Sequence, residues 1–550
     1  MKRMSRKHPT RRWIWLAVLV MLAALAALSV AVLVPTSSAE RATADVDWPY
    51  VNGTLDGQRY SPLTQIDTSN VKTLKVAWRF RVKTLGAENY PVIVGRTAYV
   101  TTTFGHIYAL DAATGKQLWS FDVGKQKNVG LAAQAAVHGF PNRGVGVGDG
   151  RIYAVTPNAL LIALDQANGH LLWKKSIGNP LFLSESAAPI VYNGMVFVGS
   201  AGSESGARGF EAAYDAKTGK QIWRYYTVPA PNAPGSYLKG HHGGGAVWMN
   251  PTIDPQTGLL YIATGNAGSD FDARVRPGHN LWTDSIVALD SKTGKQVWGY
   301  QLEPFDVWDL DSASPPVLFP TKSGLAVGEA NKGGFWHSVD ARTGKRLTTP
   351  VAFVYQHRVI PKPGGKAVVT WPAALGGSEW SPVPFSPQTG LVYVSGLNVP
   401  GLIQVPKKPL KYKVGADYGG TFQISGPWTK KLPRSVTGTG TFTAIDVETG
   451  KIRWQHKEPV AMIGGATTTA GGLVFVGVSG KGLFQALDAA TGQVLWQQAL
   501  GGRIDDAASV YSIDGKQYVL IASGGSSLIG AGTGGFVAPS PATFTAFALG

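Results

Sequence analysis

The stretch Asp111-Ala112-Ala113-Thr114-Gly115-Lys116-Gln117-Leu118-Trp119 decides the fold, because its pattern Asp-x-x-Thr/Asn-Gly-x-x-x-Trp recurs along the chain. Seven copies begin at Asp111, Asp165, Asp215, Asp290, Asp340, Asp446 and Asp488. In six copies a tryptophan lies eight residues after the aspartate, at Trp119, Trp173, Trp223, Trp298, Trp454 and Trp496. The fifth copy has Thr348 there, and residues 72–78 resemble a degenerate eighth copy.

Each copy predicts a β-turn between two strands. The aspartate side chain can bond local backbone N–H groups, and the glycine supplies the positive φ that such turns need. Successive aspartates lie 54, 50, 75, 50, 106 and 42 residues apart, a period typical of propeller blades. The gap of 106 leaves room for an extra blade, whose strand and turn would be residues 385–394. We therefore expect an all-β fold, an eight-bladed β-propeller, with seven blades as the nearest alternative.

The N-terminus predicts export. Residues 1–12 form a basic tail, and the uncharged apolar run 13–34 spans 22 residues, or roughly 33 Å as a helix, enough to cross a bilayer. Positive-inside placement puts the rest of the chain outside the cytoplasm. The run is either a transmembrane anchor or a signal peptide, and we favour the anchor because signal-peptide cores usually span about 7 to 15 residues. A linker (35–47) then leads into the propeller (48–550).

Composition excludes several classes of site. The chain contains no cysteine, so it can form no disulfide, zinc–thiolate site, iron–sulfur cluster or covalently attached c-type haem. Redox chemistry would need a non-covalent cofactor. The net charge is +17, but no basic run with interleaved aromatic residues follows the N-terminal tail, so we expect no nucleic-acid partner.

Candidate chemistry lies where the chain departs from the repeat. Residues 305–311 carry three carboxylates, of which Asp309 and Asp311 would face the same way from an extended segment. Carboxylates so crowded need a cation, or one of them must stay protonated as a base. Lys332, Glu204 and Asn266 each lie in or beside a glycine-containing loop. Taken singly, each is more often a turn or surface residue than a ligand.

Together these residues resemble a family. The chain from about Trp48 onward is similar to the alcohol dehydrogenases that depend on pyrroloquinoline quinone (PQQ), which are eight-bladed quinoproteins with tryptophan-docking motifs. The matching segments are residues 48–53, 59–63, 142–145, 243–248, 261–266, 308–311 and 515–519.

The resemblance implies specific roles for ten residues. Glu204 and Asn266 would coordinate the metal that holds the quinone. Asp309 would be the catalytic base and a metal ligand, and Asp311 a further ligand or a support for the base. Lys332 would stabilise charge on the quinone oxygen. The remaining quinone contacts would be Glu88, Arg143, Trp248, Glu379 and Trp380.

Three departures from the family pattern affect these roles. Methanol-oxidising members have an adjacent cysteine pair, whereas the corresponding residues 134–139 contain none. Many members have Asn-Trp where this chain has Glu379-Trp380, and Thr348 removes one docking tryptophan. Asp311 resembles the extra carboxylate of lanthanide-dependent members, but Trp-Asp-x-Asp also resembles glucose dehydrogenases that use calcium or magnesium. We expect Ca²⁺ as the first choice of metal and a lanthanide ion as the second.

The resemblance predicts an oxidoreductase in the periplasm or outside the cell, anchored to the membrane or secreted if the signal is cleaved. It would oxidise an alcohol or sugar hydroxyl, with hydride passing to metal-bound PQQ. Electrons would then reach an external acceptor, either a cytochrome c or a membrane quinone. The alternative is a non-catalytic, quinoprotein-like propeller that acts as an envelope scaffold. The joint presence of Glu204, Asn266, Asp309 and Lys332 favours the enzyme.

Overall fold

Eight β-sheets follow one another along the chain as the blades of a propeller, and a small ninth sheet is formed by segments that lie before and within one of these blades. The computed structural model describes residues 45–85, 88–102, 105–123, 141–234, 236–238, 243–413, 416, 418–423, 438–525 and 540–550. The predicted tail and apolar run (1–34) and residues 134–139 lie outside this set. Within it, no helix has the length and hydrophobicity needed to cross a membrane.

The chain begins with two strands, β1 (Tyr60–Ser61) and β2 (Leu74–Leu85), that belong to sheets completed near its end. The strands of the first four blades come next. The first two blades comprise β3 (Val92–Val94), β4 (Thr97–Thr101), β5 (Ile107–Asp111), β6 (Gln117–Phe121), then β7 (Gly146–Gly148), β8 (Arg151–Thr156), β9 (Leu160–Asp165) and β10 (Leu171–Ser176). The third and fourth comprise β11 (Ile190–Tyr192), β12 (Met195–Val198), β13 (Phe210–Asp215), β14 (Gln221–Tyr226), then β15 (Thr252–Asp254), β16 (Leu259–Ala263), β17 (Ser285–Asp290) and β18 (Gln296–Gln301).

The later blades contain the insertion and the closure of the ring. The fifth comprises β19 (Val317–Thr321), β20 (Gly324–Ala330), β21 (Phe335–Asp340) and β22 (Val351–Ala352), and the inserted sheet comprises β23 (Val368–Thr370), β26 (Gly401–Gln404) and β27 (Thr421–Gln423). The sixth blade comprises β24 (Phe385–Ser386), β25 (Leu391–Asn398), β28 (Thr439–Asp446) and β29 (Ile452–Glu458). The seventh comprises β30 (Ala466–Thr469), β31 (Leu473–Val478), β32 (Leu483–Asp488) and β33 (Val494–Ala499), and the eighth β34 (Ser509–Ile513), β35 (Lys516–Gly525) and β36 (Ser540–Leu549).

Strand β2 supplies the outer strand of the eighth blade. It pairs antiparallel with β36, so that Leu74 lies opposite Leu549. The prediction of eight blades is therefore confirmed, but the position given to the extra blade was wrong. Residues 385–394 form strands of the same blade as the Asp446 copy, and the long gap holds the inserted sheet. The eighth blade is instead the one that contains the degenerate copy at residues 72–78.

The motif tryptophans join neighbouring blades. The Trp78 ring lies against Gly115 of the first blade, and its indole N–H donates to the Ala112 carbonyl at 3.0 Å. The same packing on the next motif glycine recurs at Trp119, Trp173, Trp223, Trp298 and Trp454. At the fifth blade Thr348 lies beside the next motif glycine, Gly450, where the other blades have an indole ring. Its hydroxyl shares a 2.8 Å hydrogen bond with the Ser338 hydroxyl. This joint therefore lacks an indole N–H donor, as the sequence predicts.

Because neighbouring strands of a blade run antiparallel, the connections between successive strands lie alternately on the two faces of the ring. Turns between the first and second strands of a blade share a face with the motif turns, and an ion pair of 3.0 Å between Arg96 and Asp111 links two of them. Connections between second and third strands, and those between blades, lie on the opposite face. All ten predicted site residues belong to that second group. Residues that are hundreds of positions apart thereby share one face.

Candidate functional site

A lysine and two aspartates form the centre of this face. The Nζ atom of Lys332 lies 2.5 Å from Oδ2 of Asp311 and 3.7 Å from Oδ1 of Asp309. The Lys332 N–H also donates to the Asp311 carbonyl at 3.0 Å, so the loop after β20 is joined to the segment before β19 by backbone as well as side chain. The sequence predicts these three residues as one site, and the fold brings them together.

The segment that carries the aspartates is not extended as expected. Asp309 has a φ of +65°, and its neighbours form no strand. The carboxylate of Asp306 accepts the N–H groups of Trp308 at 2.8 Å and Leu310 at 3.1 Å, which fixes the bend. Trp308 and Leu310 pack against residues of the inserted sheet, including Ile403. The bend still directs both carboxylates to Lys332, so the prediction of a shared direction holds by a different geometry.

Asn266 and Asp270 extend the cluster. The Asn266 N–H donates to Oδ1 of Asp311 at 2.6 Å, and its side-chain amide donates to Asp270 at 2.9 Å. Glu204 lies in the 3-10 helix Ser203–Ser205 and is exposed. Its carboxylate interacts electrostatically with Asp309, as does that of Asp270. Asp270 was missed in the sequence, although an acidic residue four positions after Asn266 in the same loop was the available signal.

Negative charge exceeds positive charge here. Burial raises the pKa of Asp309 well above its usual range, Lys332 lowers it, and Asp311, Asp270 and Glu204 raise it further. Three carboxylates thus act on Asp309, and the Lys332 ammonium opposes them. Carboxylate and amide oxygens are donors that suit a hard cation, whose charge would offset the repulsion. Within the described residues, however, no three acidic or histidine side chains already form a metal-binding group.

Two indole rings and an arginine form the neighbouring part of the site. The Arg143 guanidinium lies 5.1 Å from the ring centroids of both Trp248 and Trp380, and Nζ of Lys332 lies 5.7 Å from that of Trp248. Nη2 of Arg143 forms a 2.5 Å ion pair with Glu88. Burial raises the pKa of Glu88 to about 7, while the Arg143 charge lowers it.

Among the residues that the structure describes, buried polar atoms without a hydrogen-bond partner in this region include Nε of Arg143 and Oε1 of Glu379. Burial raises the pKa of Glu379 to about 8, and the Lys332 charge opposes this shift. Arg143 and Lys332 place two positive charges beside the Trp248 ring, and the two unpaired polar atoms lie in the same region. This arrangement suits a flat anionic ligand. Ser186, missed in the sequence, contributes a hydroxyl that accepts from Nη1 of Arg143 at 2.5 Å; nothing in the sequence distinguished it.

Comparison with known proteins gives the same fold and family. The family model described as "Glucose/ethanol/alcohol dehydrogenase, beta-propeller domain" (PQQ) matches residues 48–357 and 351–519. The quinohemoprotein alcohol dehydrogenase of Comamonas testosteroni is 32% identical, with 88% of this chain and 73% of the relative covered. The quinohemoprotein alcohol dehydrogenase ADH IIB of Pseudomonas putida is 33% identical, covering 91% and 76%.

Solved structures agree with these sequence matches. The quinohemoprotein alcohol dehydrogenase ADHIIG of Pseudomonas putida HK5 superposes with a TM-score of 0.82 at 29% identity, covering 92% of this chain and 80% of that chain. A europium-containing methanol dehydrogenase superposes with a TM-score of 0.80 at 29% identity, covering 92% and 98%. The chain therefore belongs to the PQQ-dependent glucose/ethanol/alcohol dehydrogenase family of eight-bladed propellers.

Proposed function

We propose that this protein is a PQQ-dependent dehydrogenase that oxidises an alcohol, with a sugar hydroxyl as the second choice of substrate. The observation that supports it most directly is the contact of one lysine, Lys332, with both Asp309 and Asp311 beside the Trp248 ring. Bound PQQ would supply a two-electron acceptor, and its metal would supply a Lewis acid.

The residues present fit both groups. Glu204, Asn266, Asp309 and Asp311 offer oxygen donors and excess negative charge, which suits Ca²⁺ or, as the second choice, a lanthanide ion. One structurally similar protein is a europium-containing methanol dehydrogenase, which supports keeping the second choice. The quinone would lie on Trp248.

Three side chains would hold the edges of the quinone, and two more would support them. Arg143 and Lys332 would face its oxygens, since both cations lie beside the Trp248 ring. The unmatched Nε of Arg143 and Oε1 of Glu379 would gain partners on binding. Glu88 would act through Arg143, its ion-pair partner, and Trp380 would flank the guanidinium from the other side.

Asp309 is assigned the proton transfer. Its carboxylate would accept the substrate hydroxyl proton, and a neighbouring cation would keep it ionised by opposing the shift that burial and acidic neighbours produce. Lys332 would remain an ammonium, because two carboxylates face it, and would stabilise negative charge on the cofactor oxygen.

The acceptor and the location are further parts of this proposal. Two relatives are quinohemoproteins by name, but the 550 residues here contain no cysteine to attach a c-type haem. Electrons would leave to a cytochrome c or to a membrane quinone. The basic tail and apolar run of residues 1–34 support a membrane anchor with the propeller outside the cytoplasm, or secretion after cleavage.

Reconstitution tests the proposal. Protein loaded with PQQ and Ca²⁺ should reduce an artificial dye when given primary alcohols, and an absorption spectrum should change on adding substrate. Glu204→Ala should make activity depend on added Ca²⁺ or abolish it, whereas Glu448→Ala, an exposed glutamate of a motif turn, is the matched control. Bound PQQ without dye reduction across alcohols and sugars would contradict the dehydrogenase. Failure to bind PQQ at all would favour the scaffold alternative.

A further inference from the structure

A second cavity lies on the same face, between the second and third blades. It has a volume of about 320 Å³, at the lower end of small-molecule pockets. Its walls come from the segment after β10, the start of β13, the end of β14 and the insertion that carries Tyr412. None of the residues assigned to metal or quinone lines it.

Two arginines line this cavity, and none of the described residues that line it is acidic. Arg208 donates from Nε and Nη2 to the Val228 carbonyl at 3.2 and 2.8 Å. Arg224 donates from Nη2 to the Ile177 carbonyl at 3.0 Å and to the Tyr214 hydroxyl at 2.9 Å. In the part of the chain that the structure describes, neither arginine forms an ion pair with a carboxylate within 4.0 Å.

Both guanidinium groups lie over aromatic rings. The Cζ atom of Arg208 lies 3.9 Å from the ring centroid of Tyr226, and that of Arg224 lies 4.0 Å from that of Phe210. Stacking fixes the plane of each group, and the hydrogen bonds to carbonyls engage only part of each set of five donors. Nε of Arg224 is buried, and no described residue forms a hydrogen bond with it. The cavity thus contains two oriented guanidinium groups, Arg208 and Arg224, that each have further N–H donors for a ligand.

The rest of the wall is largely apolar. Phe182 and Leu183 of the connection after β10 and Phe210 of the third blade contribute rings and a branched chain, and Leu183 is buried. The Tyr412 ring packs directly against Gly206, leaving no room there for a Cβ. A ligand that satisfies this surface needs a planar anionic head of the kind a guanidinium fork binds and a short apolar body.

We infer that the cavity lined by Arg208, Arg224, Phe182 and Tyr412 binds a small carboxylate with an aromatic or aliphatic body. The guanidinium donors hold the carboxylate, and the apolar wall holds the body. The inference does not rest on the proposed function, because binding requires neither turnover nor the quinone.

The test uses the full-length protein both as purified and after addition of PQQ and Ca²⁺, so that a carboxylate bound at the central cluster is distinguished from one bound in this cavity. Benzoate and hexanoate are titrated by calorimetry and by saturation-transfer difference NMR, with benzamide, hexanamide and inorganic phosphate as comparison probes. We expect both carboxylates to bind and both neutral amides to bind at least tenfold more weakly. Phosphate should also bind at least tenfold more weakly, because it cannot use the apolar wall.

Variants place the site. Arg224→Gln and Arg208→Gln should each weaken carboxylate binding about tenfold or more, the factor expected when a hydrogen bond to a charged group is lost. Arg79→Gln, at an exposed arginine of β2, should leave it unchanged, and thermal unfolding verifies that each variant is folded. The inference is overturned if neither carboxylate binds, if amides or phosphate bind equally well, or if folded arginine variants bind like the parent protein.

Discussion

The Nζ atom of Lys332 lies 2.5 Å from the Oδ2 atom of Asp311, although the two residues belong to different connections of the propeller. The ammonium offsets part of the negative charge of the Asp309, Asp311 and Asp270 carboxylates. Removing the ammonium should strengthen cation binding and lower turnover.

Lys332→Gln should tighten Ca²⁺ binding, because a positive charge beside the carboxylates no longer repels the ion. Turnover should fall by about two to three orders of magnitude, the usual cost of losing a group that stabilises developing charge. Calorimetric titration with Ca²⁺ and dye-linked assays of the reconstituted enzyme measure the two effects. Lys72→Gln, at an exposed lysine, is the control. Weaker Ca²⁺ binding in Lys332→Gln would show that the lysine does not face the metal.

Asp309→Asn should lower turnover by about two to four orders of magnitude while PQQ still binds, because the amide cannot accept the substrate proton. The absorption spectrum of bound PQQ measures occupancy, and a dye-linked assay measures turnover. Asp306→Asn is a comparison variant at the neighbouring carboxylate, which accepts backbone N–H groups of Trp308 and Leu310. Turnover of Asp309→Asn close to that of the parent protein would assign proton transfer to another group.

The repeat predicted the blades because each motif is local. Asp111 and Trp119 lie on one turn and its outgoing strand, so a single window of sequence contains the whole signal. Closure of the ring is not local. Leu74 pairs with Leu549 at the other end of the chain, and the extra blade was consequently placed in the long gap instead of at the termini.

The site could be predicted only in part. The resemblance named Lys332, Asp309 and Asp311, which the fold brings together. It could not give the bend at Asp309, since a positive φ there depends on how Asp306 bonds backbone N–H groups and on packing against an inserted sheet. Ser186 was missed because its role exists only through a contact with Arg143 across two connections.

Docking of tryptophan on glycine should contribute measurably to stability. Gly115 and Gly150 have nearly equal φ values of +71° and +70°, but a Cβ at Gly115 would lie 2.5 Å from the Trp78 ring, while one at Gly150 would meet nothing within 4 Å. Gly150→Ala should cost about 1 to 2 kcal/mol from backbone strain alone. Gly115→Ala should cost about 1 to 3 kcal/mol more, because the contact is overpacked.

The urea midpoints of the two glycine variants provide the measurement, since both substitutions carry the same backbone penalty. Equal midpoints would mean that the Trp78 ring moves aside without loss of stability. A lower midpoint for Gly150→Ala would contradict the docking argument altogether.

His337 should make stability depend on pH. It lies on β21, is buried, and neither ring nitrogen has a hydrogen-bond partner among the described parts of the chain. Burial, together with the nearby Arg358 and Arg346 charges, lowers the pKa of His337 to about 3. An unfolded histidine has a pKa of about 6.5, so between those values the unfolded chain binds one more proton. Its contribution to stability is therefore complete above pH 6.5 and declines as the pH falls.

The decline amounts to about 1.4 kcal/mol per pH unit, or about 2 kcal/mol between pH 6.5 and 5. Buried acids such as Glu185, whose pKa burial raises to about 8, change stability in the opposite direction, so the parent protein alone does not isolate the effect. We expect His337→Phe to gain about 2 kcal/mol relative to the parent protein on going from pH 7 to pH 5. His279→Gln, at an exposed histidine, serves as the control. A difference between His337→Phe and the parent that stays constant with pH would show that His337 is protonated equally in the folded and unfolded states.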